Sequence, residues 1–376
     1  MPASNENFDV IVIGGGIAGA SAAYHLAPNA SVVVLEAEDA PGYHTTGRSA
    51  ALFVPPGPNP TPVEALVNGS EAFFQSPPDG FVDHPLTSPL GALTVAGPED
   101  EAGLEAMITG GALGQRLNQA ETLELCAAMR PECATAGLID FGVVNIDVHR
   151  LLQGYLRGVT TSGGRLVTGA RVTTLKRSDG LWAVETAAGY FAAPVVINAA
   201  GAWADTMAEA AGITTIGLVP KRRTVINFDA PTEIDCTGFP IVGDMADSYF
   251  FRPEAGGLMA SPADETPSPP CDAQPDEIDM AIIVDRMQRA TLFEISRITH
   301  SRAGLRSFTP DNAPAVGMAP DAEGFMWLAG QGGFGIETSP AMGRIAAALA
   351  QGDAFPTTAD LTGITADDLR PDRFTP

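Results

Sequence analysis

Residues 9–37 read DVIVIGGGIAGASAAYHLAPNASVVVLEA, and no other stretch restricts the fold as strongly. A short apolar run enters Gly14, Gly16 and Gly19, a small-residue segment of helical character follows, and a second apolar run ends on Glu36. This is the G-x-G-x-x-G pattern in the context it needs, strand before and helix after, with an acid at the end of the next strand. Each residue type has a physical reason. Gly14 permits a tight turn, Gly16 lets backbone approach a pyrophosphate, and Gly19 lets helix and strand pack closely. The helix N-terminus offers N–H groups and the positive end of its dipole to phosphates. Glu36 can accept hydrogen bonds from ribose hydroxyls.

The rest of the composition narrows the class. With 376 residues, 45% of them hydrophobic, the chain can bury a large core, either as two domains or as one α/β body with an insertion. A net charge of −24 repels nucleic acid and anionic membranes, so neither is an expected partner. The N-terminal MPASNENFDV lacks the basic and apolar regions of a secretory leader, and there is no run of about 18 apolar residues. A cytoplasmic location without an integral membrane segment is therefore expected. Cys126, Cys133, Cys236 and Cys271 show no metal-ligand spacing and the five histidines are scattered, so reduced thiols and no metal are expected.

Along the chain, Val54–Pro62 is a proline-stiffened loop, and helices are predicted over Val63–Phe74, Glu99–Gly114, Glu121–Met129 and Ile278–Phe293, with another starting at the N-cap Asp147 and running to Thr161. Strands are predicted over Gly91–Val95, Gly137–Ile146, Gly164–Val167, Ala170–Lys176, Gly180–Thr186 and Gly189–Phe191. Pro194–Asp205 reads as a buried strand followed by a glycine turn. Leu218–Met259 is β-rich, Ala263–Glu277 reads as an exposed acidic, proline-rich loop, and further strands fall near Ile295–Arg306, Ala315–Met318 and Phe325–Ala329. A second glycine-rich turn opens a helix within Gly330–Ala350. The predicted fold class is α/β (α+β), a Rossmann-like nucleotide-binding domain assembled from discontinuous segments with an inserted β-rich substrate domain. The expected division is 1–76, 140–216 and 305–376 for the first and 77–139 and 217–304 for the second.

The segments VIGGGIAGASAAYHL, VVVLE, TTGRSAALF, GYLRGV, VINAAGAWAD, LVPKRRTVI, AGLRSF and GQGGFGIETSPAMG resemble, in this order, the flavin-dependent D-amino-acid oxidase superfamily, and GYHTTGRSAA, PKRR, AGLRSF and QGGFGI are most similar to its bacterial D-arginine dehydrogenase branch. The resemblance implies FAD rather than NAD, and the second glycine-rich helix start agrees with it, because its N–H groups and dipole could face the negative N1/C2-carbonyl edge of a reduced flavin. By resemblance, Gly14, Gly16, Ala18 and Gly19 hold the pyrophosphate turn and Glu36 with Ala37 the ribose. Thr45, Thr46, Gly47, Arg48, Ser49, Ala50, Ala51 and Leu52 would run along the flavin. Val172 would meet adenine, Gly201 would be close to the cofactor, and Gly332, Gly333, Phe334, Gly335, Ile336 and Glu337 would form the second turn. Non-covalent FAD is expected, since no cysteine lies at an attachment position of the family, which leaves His44 as the one side chain to consider.

The reaction that the resemblance implies is hydride transfer from Cα to flavin N5, giving an imine and then a 2-keto acid and ammonia. Arg306 and Arg223 match substrate-carboxylate arginines, and a guanidinium presents the planar fork that suits a carboxylate. No histidine or carboxylate stands out as a general base, and an amine near its pKa can lose its proton to water. D-Arginine dehydrogenases carry His where this chain has Leu52, Tyr where it has Gly57, an acid where it has Ala92, Tyr where it has Phe250 and an aromatic residue where it has Arg302. A pocket of Leu52, Phe53, Ala92, Met245, Phe250 and Gly333 has no carboxylate for a cationic side chain, so a D-amino acid with a neutral or apolar side chain is expected. Arg302 is read as facing solvent. The alternatives are a secondary-amine oxidase of sarcosine or glycine type, a 2-hydroxy-acid dehydrogenase, and a non-catalytic flavoprotein. The electron acceptor is left open between oxygen and a quinone.

Overall fold

The computed structural model describes residues 5–58 and 60–374. The first four residues, at the head of the segment read as no secretory leader, and Asn59 of the proline-stiffened loop lie outside the described residues. The fold is mixed α/β, built on four sheets.

A six-stranded sheet runs in the order Arg165–Val167, Val32–Leu35, Val10–Ile13, Val195–Asn198, Phe325–Ala329, Ala315–Met318. Its pairings are parallel except the last. Parallel strands covered on both faces read as continuous apolar runs, and VIVI, VVVL and FMWLA are buried throughout. The two-residue period still sorts them. Val10, Val12, Val32 and Val34 point to a core shared with Leu26, Met342 and Ile345 of the helices Ile17–Leu26 and Ser339–Ala350. Ile11, Ile13, Val33 and Leu35 point to the opposite core, shared with Trp182, Val184 and Phe191. Those three belong to a four-stranded sheet, Asn5–Asn7, Gly189–Ala193, Leu181–Thr186 and Val172–Ser178. The two helices cross closely enough that a Cβ at Gly343 would sit 2.8 Å from the Ser21 backbone.

The largest sheet has nine strands and supplies the floor of the second half of the molecule. Val219–Phe228 is flanked by His300–Phe308 on one side and by Gly257–Ser261 and Thr266–Pro267 on the other. The sheet continues through Phe250–Glu254, Ile241–Asp244, Ala92–Ala96 and Ala136–Asp140 to Gln115–Asn118. Helix Glu277–Ala290 covers it with Ile283 and Met287. A small sheet joins Leu52–Phe53, Val144–Ile146 and Thr87–Pro89. Strand His300–Phe308 runs continuously through residue 305, where the sequence suggested a domain boundary. Among the described residues no helix is long and apolar enough to cross a membrane.

Several elements differ from the sequence expectation. Glu99–Gly114 is a shorter helix, Glu101–Thr109, followed by the polar strand Gln115–Asn118. The next helix is Gln119–Leu125, begun by a capping box of Asn118 and Glu121. The acidic loop Ala263–Glu277 is not simply exposed. Thr266–Pro267 pairs with Lys221 and Arg222, and the Asp264 carboxylate accepts from the Thr224 amide at 2.6 Å.

Candidate active site

Gly14 has φ +111°, and a Cβ there would lie 2.3 Å from the Ala199 carbonyl oxygen, so only glycine allows this crossing of the two central strands. A Cβ on Gly19 would lie 2.0 Å from the Gly14 carbonyl oxygen, which is the close helix–strand packing the motif predicts. Gly16 is the extended N-cap of helix Ile17–Leu26 and offers no side chain, so the cap comes from elsewhere: the Ile17 amide donates to Thr46 Oγ1 at 3.0 Å. Glu36 is buried at the end of its strand and accepts from the Gly15 and Glu38 amides, each at 2.8 Å. An ionised carboxylate has about four acceptor positions, which leaves capacity for ribose hydroxyls. Ala37 and Val172 are half-buried near it, the latter at the start of its strand.

The segment after this strand is tied across the molecule. Thr45 Oγ1 donates to the Leu305 carbonyl at 2.7 Å. Arg48 donates to the Ala303 and Ala273 carbonyls at 2.9 and 2.8 Å and pairs with Asp272. Ala51 sits at φ +32°, a left-handed conformation that a non-glycine residue holds only when its surroundings impose it. His44 packs against Trp203 with ring centroids 4.6 Å apart and places Nε2 3.2 Å from Glu38.

A cleft of about 950 Å3, counted to its open mouth, lies between the helix N-terminus, this segment and the large sheet. Of the sequence-predicted residues it brings together Gly16, Ala18, Thr45, Thr46, Arg48, Ser49, Ala50, Gly201, Gly332, Gly333, Gly335 and Ile336 with Arg223, Phe250 and Arg306. Gly14 and Gly19 support the turn from behind. Gly47, Ala51 and Leu52 belong to the segment of Thr45 and Arg48 without lining the cleft, and Phe334 is exposed at the turn. Val225, Gly304, Leu305, Ser307 and Gln331 also line the cleft. Their signal in sequence was alternation, since Val225, Gly304 and Leu305 flank the two arginines on adjacent strands.

Four residues placed in the substrate pocket by sequence do not line this cleft. Phe53 is a core residue, its ring 5.5 Å from that of Phe74. Leu52 is half-buried in a strand pair with Asn145. Ala92 is half-buried between Ile241 and Asp140, on the sheet face of Phe250 but outside the cleft lining. Met245 packs in a satellite cluster with Leu104 and Leu138. Arg302 does not face solvent: it donates to Asn227 Oδ1 at 2.9 Å and pairs with Glu254 at 3.1 Å.

The two arginines arise from strand pairing. Lys221 is the Cα partner of Arg306, and Arg223 that of Gly304. Directly paired residues, and residues two apart, share a sheet face, so Lys221, Arg223 and Arg306 project to the same side. Arg306 lies against Gly333, where a Cβ would come within 2.9 Å of its Nη1. Among the described residues the Arg306 guanidinium has no hydrogen-bond or ion-pair partner. Burial, together with the neighbouring Arg223, pushes it down to about 10, so it stays charged at neutral pH. Arg223 meets Glu265 at 3.3 Å. Glu337 is buried beside the cleft, accepts from the Val54 amide at 3.0 Å, and is pushed by burial up to about 7.

These residues fit FAD. The glycines form a cradle that a Cβ would fill, the helix N-terminus faces the cleft, Glu36 stands at the end of its strand, and the buried Gln331 Nε2 has no partner among the described residues. Fold and site define an FAD-binding oxidoreductase. The family described as "FAD dependent oxidoreductase" (DAO) matches residues 9–349, and the chain belongs to it. Human mitochondrial dimethylglycine dehydrogenase is 26% identical over 366 residues, which cover 90% of this chain. The chain spans only 42% of that relative's length. Among solved structures, glycine oxidase from Geobacillus kaustophilus superposes with a TM-score of 0.78 at 22% identity, covering 94% of this chain and 96% of the other. The L-alpha-glycerophosphate oxidase of Mycoplasma pneumoniae with FAD bound reaches 0.80 at 20% identity, covering 92% and 95%. The protein is thus an FAD-dependent oxidoreductase of the DAO family.

Proposed function

We propose that the enzyme oxidises a small amine bearing one carboxylate, with a D-amino acid of neutral or apolar side chain as the first substrate class and Arg306 and Arg223 as its binding pair. The observation that carries this reading is the Arg306 guanidinium, half-buried in the cleft, without a carboxylate of its own, two strand positions from Arg223. Leaving a buried guanidinium unpaired costs free energy that a ligand carboxylate can recover. Val225 and Phe250 line the same cleft and give a side chain apolar surroundings.

FAD, when bound, supplies the two-electron acceptor for the C–H bond beside the amine. The chain's own residues orient the substrate: the arginines fix the carboxylate, so that only one face of the adjoining carbon is presented. No carboxylate or histidine is needed as base, because the amine releases its proton to water. Segments 1–76, 140–216 and 305–376 are proposed as the cofactor module and 77–139 with 217–304 as the substrate module, working in the cytoplasm with oxygen or a quinone as acceptor.

A second reading, an N-methylated amino acid as substrate, is favoured by the similarity to dimethylglycine dehydrogenase over most of this chain. Anaerobic addition of a panel separates the two. Flavin bleaching by D-amino acids supports the first, bleaching only by N-methyl glycines the second, and no bleaching by any amino carboxylate refutes both. Arg306→Met should keep FAD bound and raise the half-saturating substrate concentration about 10- to 100-fold, the loss of one charged hydrogen-bonded anchor. Unchanged turnover would remove Arg306 from the site.

A further inference from the structure

The strap Ala263–Glu277 carries a carboxylate whose position the proposed reaction does not use. Thr266 is the Cα partner of Arg222, so the residue before it, Glu265, belongs to the sheet face of Lys221 and Arg223, and Asp264 to the opposite face. The contacts follow that alternation. Asp264 turns back to the amide and hydroxyl of Thr224 at 2.6 and 3.1 Å. Glu265 turns forward to Lys221 at 2.8 Å and Arg223 at 3.3 Å. Asp264 thereby fixes the register that delivers Glu265.

Lys221, Arg223 and Arg306 are positive, and Lys221 is further placed 4.6 Å over the Phe308 ring. Glu265 is the carboxylate paired with this group of cations, Glu337 lies beside the cleft with Arg306 as its charged neighbour, and Asp264 is engaged with Thr224 and lies 3.9 Å from Arg222. Lys221 and Arg223 are thus engaged by Glu265, whereas Arg306 has no ion-pair partner among the described residues.

We propose that Glu265 is a specificity-determining residue, acting through Arg223, that matches the cleft to monocarboxylate amines and turns away dicarboxylates. It holds Arg223 as part of an internal ion pair and leaves Arg306 as the cleft guanidinium without an ion pair among the described residues. This inference rests on the carboxylate-binding reading above. Coulomb energy scales with the product of charges, so losing the Glu265 charge favours a dianion twice as strongly, in free energy, as a monoanion.

The test uses the FAD-loaded protein and non-reactive probes, acetate and malonate, titrated against the visible flavin spectrum. Glu265→Gln should tighten acetate about fivefold and malonate about 25-fold, the square of that factor. Glu265→Asp, which keeps the charge, should preserve the wild-type ratio of the two affinities. Glu265 is exposed and Gln keeps its shape, so the fold is retained. Equal factors for both probes, or no change in either, overturn the proposal. Arg306→Met is the control: weakened acetate binding with an unchanged probe ratio in Glu265→Gln overturns the role of Glu265 alone. Acetate binding that is indifferent to Arg306→Met overturns the carboxylate reading and this inference with it.

Discussion

Glu337 offers a quantitative test of the site's electrostatics. Its carboxyl is buried next to Ile336 and the Phe53 cluster, accepts one hydrogen bond from the Val54 amide, and has Arg306 as its charged neighbour. Burial outweighs both favourable contacts and raises it from 4.5 to about 7. The folded protein therefore holds this proton more tightly than the unfolded chain. As pH rises from 4.5 towards 7 the unfolded chain releases the proton while the folded one keeps it, so stability falls across that interval and levels off above it. Glu337→Gln keeps an oxygen for the Val54 amide and carries no charge. It should stabilise the protein by about 1 kcal/mol at about pH 5.5 and by about 3 kcal/mol at about pH 8.5. Urea denaturation of the FAD-loaded wild type and variant at the two pH values measures the difference, provided the slopes agree. A stabilisation that is the same at both, or larger in acid, would refute the reasoning.

Other substitutions probe the supports of the cleft. Gly14→Ala must relieve a 2.3 Å contact with the Ala199 carbonyl oxygen in a left-handed conformation, so it should yield protein without bound FAD, read from the visible spectrum after reconstitution. Thr46→Val removes the hydroxyl that caps Ile17 and should cost about 1 kcal/mol, seen as a lowered urea midpoint. Arg302→Leu leaves Glu254 with fewer partners and should cost about 2 kcal/mol while the substrate panel keeps its rank order. A changed rank order would return Arg302 to the substrate site.

The part built on the six-stranded sheet was legible because its signals are local. Val10–Ile13 and Val32–Leu35 are buried apolar runs, and Gly14 and Gly19 stand where backbone meets backbone. Asp147 was also readable as a cap, and its side chain accepts from the Arg150 amide at 2.8 Å. The part built on the nine-stranded sheet depends on pairings between distant segments. The polar QRLN of Gln115–Asn118 shows no alternation that marks a strand, yet it closes the edge of the large sheet. Met245 is an apolar residue near the right strands, but it packs with Leu104 and Leu138, and Ala92 shares the sheet face of Phe250 without lining the cleft. The acidic strap reads as solvated because its carboxylates outnumber its apolar residues. Their cationic partners, Lys221, Arg222, Arg223 and Arg48, lie about 40 or more positions away or, for Arg48, in the other half of the chain.

Strand His300–Phe308 has a consequence for how such enzymes can diverge. Along one ribbon it presents Arg302 to Glu254, Gly304 to Thr45 and Arg48, and Arg306 to the cleft, and it then meets Gln331 through a bridge at Phe308. Spacing on a ribbon is counted in twos. Exchange of side chains at its even positions can retune recognition step by step, whereas insertion or loss of a single residue upstream would swap the guanidinium for Leu305 or Ser307 and turn the recognising face inside out.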